Sequence, residues 1–156
     1  MEVKEIERRF LLKKIPKAKW DYQYSISQYY IQDGDIVKRL RFTTDINRKE
    51  TIEYLHKIQK GVGEFVEVHE DINQSDAYQL MTTAFKVVNK VRHILNHNGL
   101  KFEVDKIDGI ELVLLEVELD DINQEIVFPP IIEEQIIMEV TGIRELSNAN
   151  LATLLK

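Results

Sequence analysis

Apolar and polar residues alternate along most of this chain. From residue 5 to 12, Ile6, Phe10 and Leu12 fall on one side of an extended segment together with Arg8, while Glu5, Glu7 and Arg9 fall on the other. Two acids and a base on one side, opposite a strongly apolar side, suggest a sheet whose second face is also enclosed, around something charged. Comparable β-rich stretches recur at 24–31, 36–44, 51–60, 65–72, 85–95, 100–107 and 110–119. Turn signals separate them: Asp33-Gly34, the 45–49 segment, Gly61-Val62-Gly63, Asn96-His97-Asn98-Gly99 and Asp108-Gly109. Between the fifth and sixth stretches the pattern changes period. Asn73 caps a predicted helix running to about Thr82, with Ala77, Leu80 and Met81 on its buried face. A linker at 13–22 holds Pro16 and Trp20, a polar link at 120–124 leads to Pro129-Pro130, and a partly helical tail ends at 148–156. No internal repeat, low-complexity tract or interdomain linker interrupts the series, so residues 1–156 are expected to form one domain of class α+β.

The charged residues repeat the first stretch in miniature. Arg39 and Arg41 flank Leu40, Lys90 and Arg92 flank Val91, Glu103 and Asp105 flank Val104, and Glu116 and Glu118 flank Val117. Each doublet has one sign and occupies one face of its strand. A two-residue turn centred on His97-Asn98 would set Arg92 opposite Glu103 and Lys90 opposite Asp105, a favourable cross-strand pairing. A single doublet reads as a solvated strand face. The set reads otherwise, because converging carboxylates suit hard cations and converging arginines and lysines suit phosphate.

Composition narrows the picture. The 156 residues are 44% hydrophobic and 31% charged, in the range of a globular domain with a core of its own. The chain has no cysteine, which excludes disulfides and thiolate metal sites. A net charge of −6 argues against broad nucleic-acid binding but leaves room for an internal basic site. The first residues carry no apolar run, and no stretch approaches membrane-spanning length, so no membrane association is expected and a cytoplasmic location is the default expectation.

Taken together, the motifs resemble the CYTH domain, or triphosphate tunnel metalloenzyme family. Its N-terminal Glu-x-Glu-x-Lys is matched by Glu5-Ile6-Glu7-Arg8-Arg9, its Arg-x-Arg by Arg39 and Arg41, and its Ile-x-Lys-Gly by Ile58-Gln59-Lys60-Gly61. Its Lys-x-Arg is matched by Lys90 and Arg92, its Glu-x-Asp by Glu103 and Asp105, and its Glu-x-Glu by Glu116 and Glu118. Six motifs stand in the family's order, and the chain's length and Gln28-Tyr29-Tyr30 stretch resemble the short bacterial tripolyphosphatase branch.

The resemblance implies an eight-stranded antiparallel β-barrel, or tunnel, with helices packed outside. It implies a divalent-metal-dependent hydrolase of inorganic or organic triphosphates, using Mg or Mn. In this reading Glu5, Glu7, Glu116 and Glu118, with Glu103 and Asp105, hold metal. Arg9, Arg39, Arg41, Lys60, Lys90 and Arg92 bind the phosphates, and Glu5, Glu7, Lys90 and Asp105 are the catalytic set. Glu103 and Asp105 have a second reading, as residues that orient Lys90 and Arg92. A class IV-type adenylate cyclase and a triphosphate-binding module without turnover are the alternatives. The chain also departs from the family pattern. Arg9 stands in place of Lys, Glu67, His69 and Asp71 stand where Arg-x-Glu-x-Glu is usual, and Ser147, Asn148 and Ala149 replace bases near the end. The tunnel is therefore expected to be poorer in phosphate-binding bases. The residues leave the oligomeric state open.

Overall fold

The computed structural model describes residues 1–143, 146–147 and 150. The alternation forms β1 (Glu2–Leu12), β2 (Tyr22–Asp33), β3 (Ile36–Thr44), β4 (Glu50–Gly61), β5 (Glu64–Glu70), α1 (Gln74–Met81), β6 (Lys86–His97), β7 (Leu100–Ile107), β8 (Val113–Glu118), α2 (Pro130–Glu133) and β9 (Ile136–Glu139). The first eight strands close into an antiparallel barrel in the order β1-β5-β4-β3-β2-β6-β7-β8, with β8 returning to β1. β1 makes the closure possible by serving three partners. Residues 2–6 pair with β5, residues 7–12 pair with β8, and residues 10–12 also pair with β9. Closure leaves no exposed ladder of backbone groups around the eight strands.

The apolar sides of the strands face outward and are covered. Around β1, β7 and β8, the side chains of Ile6, Phe10, Phe102, Val104, Leu115 and Val117 pack beneath Ile122, Phe128 and Ile132 of the segment that follows β8. Around β2, β3 and β4, Ile31, Leu40, Phe42 and Tyr54 pack against α1 through its buried Ala77, with Leu80 and Met81 half-buried beside it. The expected helix start is present: the Asn73 side-chain oxygen accepts the Asp76 amide at 2.8 Å. With the outer faces sealed by separate layers, the inner face is left to the charged doublets. Tyr30, Val88, Ile107 and Leu114 share that inner face by strand alternation and form a third cluster with Val140 that fills part of the interior.

Two local expectations are corrected. The β6–β7 hairpin turns on Asn98-Gly99, not on His97-Asn98, and pairs His97 with Leu100, Arg92 with Asp105 and Ile94 with Glu103. Asn98 and Gly99 have φ of 52° and 77°, the pair of left-handed residues that a two-residue hairpin requires. The shift is two residues, so every side chain keeps its face. β9 is an element the sequence did not announce. Four residues after a proline pair carry no alternation long enough to read, and their partner in β1 lies far away in sequence. Of the tail, residues 148–149 and 151–156 lie outside the described residues.

Candidate active site

Inside the barrel is a cavity of about 430 Å³, lined by inward residues of β1, β2, β3, β4, β5, β6, β7 and β8 and by Thr141, Gly142 and Ile143. Its acidic wall comes from neighbouring strands. Glu7 pairs in register with Glu118, and Arg9 with Glu116. Arg9 Nε lies 3.3 Å from Glu116 Oε1, and Lys57 Nζ lies 2.7 Å from Glu5 Oε1. Those contacts cover two of the four glutamates. The buried Glu7 side chain makes no ion pair or hydrogen bond among the described residues. Burial, and then repulsion from Glu116, push its carboxyl well above the usual carboxylate range, against the pull of Lys57.

The basic wall comes from β3 and β6. Arg41 donates from Nε and Nη2 to Gln28 Oε1 at 3.1 and 2.7 Å, and its Nη1 is 3.7 Å from Glu53. Burial lowers the Arg41 guanidinium to about 10, helped by repulsion from Arg39 and Arg92. Arg39 has no anionic partner among the described residues, and its buried Nε finds no hydrogen-bond acceptor there. Behind this wall is a locked network. Arg92 donates from Nε and Nη2 to the two oxygens of Asp105 at 2.8 and 2.9 Å, and from Nη1 to Glu103 at 3.0 Å. Lys90 Nζ lies 2.8 Å from Asp105 Oδ2, with both side chains almost wholly buried. Burial lowers the Lys90 ammonium to about 8. The Asp105 carboxyl, which burial alone would raise, is held well below its ordinary value by Arg92 and Lys90. Burial lifts Glu103 to about 7 despite Arg92, with Glu116 and Glu118 adding repulsion.

The structure thus brings Glu5, Glu7, Arg9, Arg39, Arg41, Arg92, Glu103, Glu116 and Glu118 to one cavity. Lys90 and Asp105 sit in the network behind its lining, where Asp105 holds both Lys90 and Arg92. Lys60 stands apart: it is exposed and not among the cavity's lining residues. The inward base of β4 is Lys57, which shares a face with Leu55 and Gln59. The Lys-Gly motif points to Lys60, while strand parity runs through the odd positions and breaks only at the irregularity between Gln59 and Gly61. The inward residues of β5 are correspondingly Phe65, Glu67 and His69, in register with Gln59, Lys57 and Leu55. Tyr30 and Gln28 also belong to the site, and their parity with Ile26 in a β-branched and aromatic strand was the signal for them.

Gly63, in the β4–β5 turn, holds the acidic wall in place. Its carbonyl accepts the Glu7 amide at 2.9 Å, and it has φ of +71°. A Cβ there would overlap the Glu7 carbonyl and stand 2.7 Å from Ile122 Cδ1. Gly63→Ala is expected to destabilise the protein by about 1–3 kcal/mol from backbone strain and displaced neighbours. Chemical denaturation checks this, and an unchanged midpoint would contradict it.

The donor set suits a hard divalent cation. Every candidate ligand in the acidic wall is a carboxylate, and Glu7 and Glu118 have no paired cation among the described residues. A bound dication would relieve the Glu7–Glu116 repulsion that the fold leaves standing. Among the described residues, no group of three His, Asp or Glu side chains is already gathered as a ligand set.

Solved structures share this architecture. The inorganic triphosphatase NE1496 is 27% identical over 99% of this chain and 96% of its own, with a TM-score of 0.60. The PH1012 protein from Pyrococcus horikoshii OT3 is 23% identical over 76% of this chain and 80% of its own, at 0.53. HpAC1 from Hippeastrum, described as a proposed adenylyl cyclase with a dominant triphosphatase activity, is 17% identical over 75% and 80%, at 0.50. The latter two likenesses concern the fold alone. No protein-family model and no curated protein sequence matches the chain.

Proposed function

We propose that this chain is a member of the CYTH, or triphosphate tunnel metalloenzyme, family, and that its cavity binds a triphosphate together with Mg²⁺ or Mn²⁺ and hydrolyses a phosphoanhydride bond. The observation that carries the reading is Arg39. A guanidinium buried in a cavity wall without an anionic partner among the described residues, beside the repelled Arg41, is a site awaiting an anion. The likeness to an inorganic triphosphatase across nearly the whole length of both chains supports phosphate as that anion.

Glu7 and Glu118, with Glu5 and Glu116, would hold the divalent ion, which when bound offsets charge on the phosphate oxygens. Arg39 and Arg41 would bind the phosphates from β3, and Arg9 and Arg92 from β1 and β6. Arg92 is held by both oxygens of Asp105 and by Glu103, so its fork is fixed before a ligand arrives. Asp105 acts through that fixing, with Lys90 as its second cation, and Lys60 has no part in this arrangement. In the overall step, water attacks a terminal phosphorus, the P–O–P bond breaks and pyrophosphate leaves, giving orthophosphate. Incubation with inorganic triphosphate is expected to release phosphate with Mg²⁺ or Mn²⁺ and to stop on adding EDTA. Binding without release would leave a non-catalytic triphosphate module, cyclic AMP formed from ATP would select the cyclase reading, and neither binding nor release would refute the proposal.

A further inference from the structure

Lys57 sits where a cation already occupies the acidic wall. Its Nζ is 2.7 Å from Glu5 Oε1 and 3.8 Å from Glu67 Oε2, and it lies 5.2 Å from the centroid of the Phe65 ring. The other Glu67 oxygen, Oε1, is 3.1 Å from His69 Nε2. His69 is itself anchored through its backbone, exchanging contacts with Met1 at 2.8 and 3.3 Å. The order is continuous: His69 fixes one oxygen of Glu67, the other faces Lys57, and Lys57 reaches Glu5 at the cavity. Nothing in the proposed hydrolysis uses Glu67 or His69.

We propose that Lys57 is a built-in counter-ion of the acidic wall, which an entering divalent cation must displace from Glu5, and that Glu67, oriented by His69, is the positioning residue that draws Lys57 aside. The inference rests on the metal reading above. Its physical basis is competition between like charges for one carboxylate in a partly enclosed site. Glu5 can give its oxygen to the ammonium or to the dication. Glu67 supplies a second anionic partner on the same face of the barrel, in register with Lys57, so the ammonium can leave Glu5 without losing every partner. The Phe65 ring adds a cation–π contact to the ammonium, 5.2 Å from its centroid.

The test is Mn²⁺ binding alone, with no triphosphate, followed by the electron paramagnetic resonance signal of free Mn²⁺. Lys57→Met retains the apolar stem and is expected to bind Mn²⁺ about tenfold tighter than the unaltered protein, since one repelling charge has gone. Lys57→Arg keeps the charge and should restore affinity to near the unaltered value. Glu67→Gln removes the second partner and should weaken binding severalfold. Combined with Lys57→Met, that weakening should vanish, because Glu67 acts through Lys57. If the unaltered protein binds Mn²⁺ and Lys57→Met binds no tighter, the counter-ion role is wrong. If the Glu67→Gln loss persists without Lys57, the positioning role is wrong. Failure of both the unaltered protein and Lys57→Met to bind Mn²⁺ would overturn the metal reading, and this inference with it.

Discussion

Replacing Asp105 with alanine is expected to lower the unfolding free energy by about 3–5 kcal/mol, as for other buried ion pairs from which one partner is removed. Asp105 holds two cations in the barrel wall: both its oxygens accept from Arg92, and Lys90 lies 2.8 Å away. Without it, Arg92 retains Glu103, while Lys90 loses the carboxylate that offsets its burial, and its ammonium is pushed below the value of about 8 that it has beside Asp105. The pH dependence has a definite sign. The folded carboxyl is held below its unfolded value, so its contribution is full above the ordinary aspartate range and is lost only as pH falls through the lower, folded value. The carboxylate's share of the gap between the unaltered protein and the variant should therefore hold above about pH 5 and close only in stronger acid, while the share due to Lys90 should shrink toward pH 8, because the amine left without Asp105 gives up its proton more readily. Urea denaturation at several pH values measures it. The double variant Lys90→Met, Asp105→Leu should lose less than the sum of the single changes, because it removes the stranded charge along with its partner. A loss under about 1 kcal/mol for Asp105→Ala would mean that the network is not buried in solution as it is here.

Much of this fold was legible because a closed barrel with a charged lumen writes one pattern many times. Ile36–Thr44 and Leu100–Ile107 have the expected bounds, and the inward doublets Arg39/Arg41, Lys90/Arg92 and Glu103/Asp105 follow from period-two alternation alone. What alternation supplies is the face, and the face survives a register error of two, which is why the doublets stayed inward although the hairpin turns one residue later than expected. What it does not supply is which of two nearby lysines faces in. Lys57 and Lys60 lie three residues apart, on opposite parities, and only the pairing of β4 with β5 separates them. β9 and the layer between β8 and β9 were illegible for a different reason. Ile122, Ile126, Phe128 and Ile132 cover an apolar sheet face without regular spacing, so their order in space is set by the surface they pack on. That Arg39 and Glu7 have no partner among the described residues is likewise a property of neighbours, and no run of sequence around either residue records it.

Glu7→Gln is expected to lower kcat for inorganic triphosphate at least 100-fold, the scale on which loss of a preorganised electrostatic group in a phosphoryl-transfer site is felt, while leaving the protein as stable or more so. The two effects come from one circumstance. Glu7 is buried beside Glu116, with no partner of its own among the described residues, and its carboxyl is pushed well above the usual range. A group whose folded pKa is raised favours folding in its protonated form, so the ionised carboxylate costs stability as pH rises through and above that value. Glutamine has the shape of the protonated acid and does not carry that cost. A buried carboxylate kept at the expense of stability is what a cation-binding role requires, and its removal should separate function from folding. Glu5 offers no such separation, because Glu5→Gln also takes from Lys57 its nearer carboxylate, 2.7 Å away, and leaves it Glu67 at 3.8 Å. The measurement is steady-state phosphate release with saturating Mg²⁺, paired with thermal unfolding at pH 8. A Glu7→Gln variant with activity within tenfold of the unaltered protein would remove Glu7 from the metal set. A marked fall in its melting temperature would instead make Glu7 a structural acid. The combination of a large loss in kcat with an unchanged or raised melting temperature is the outcome that follows from a carboxylate held against its own electrostatics for the sake of a ligand.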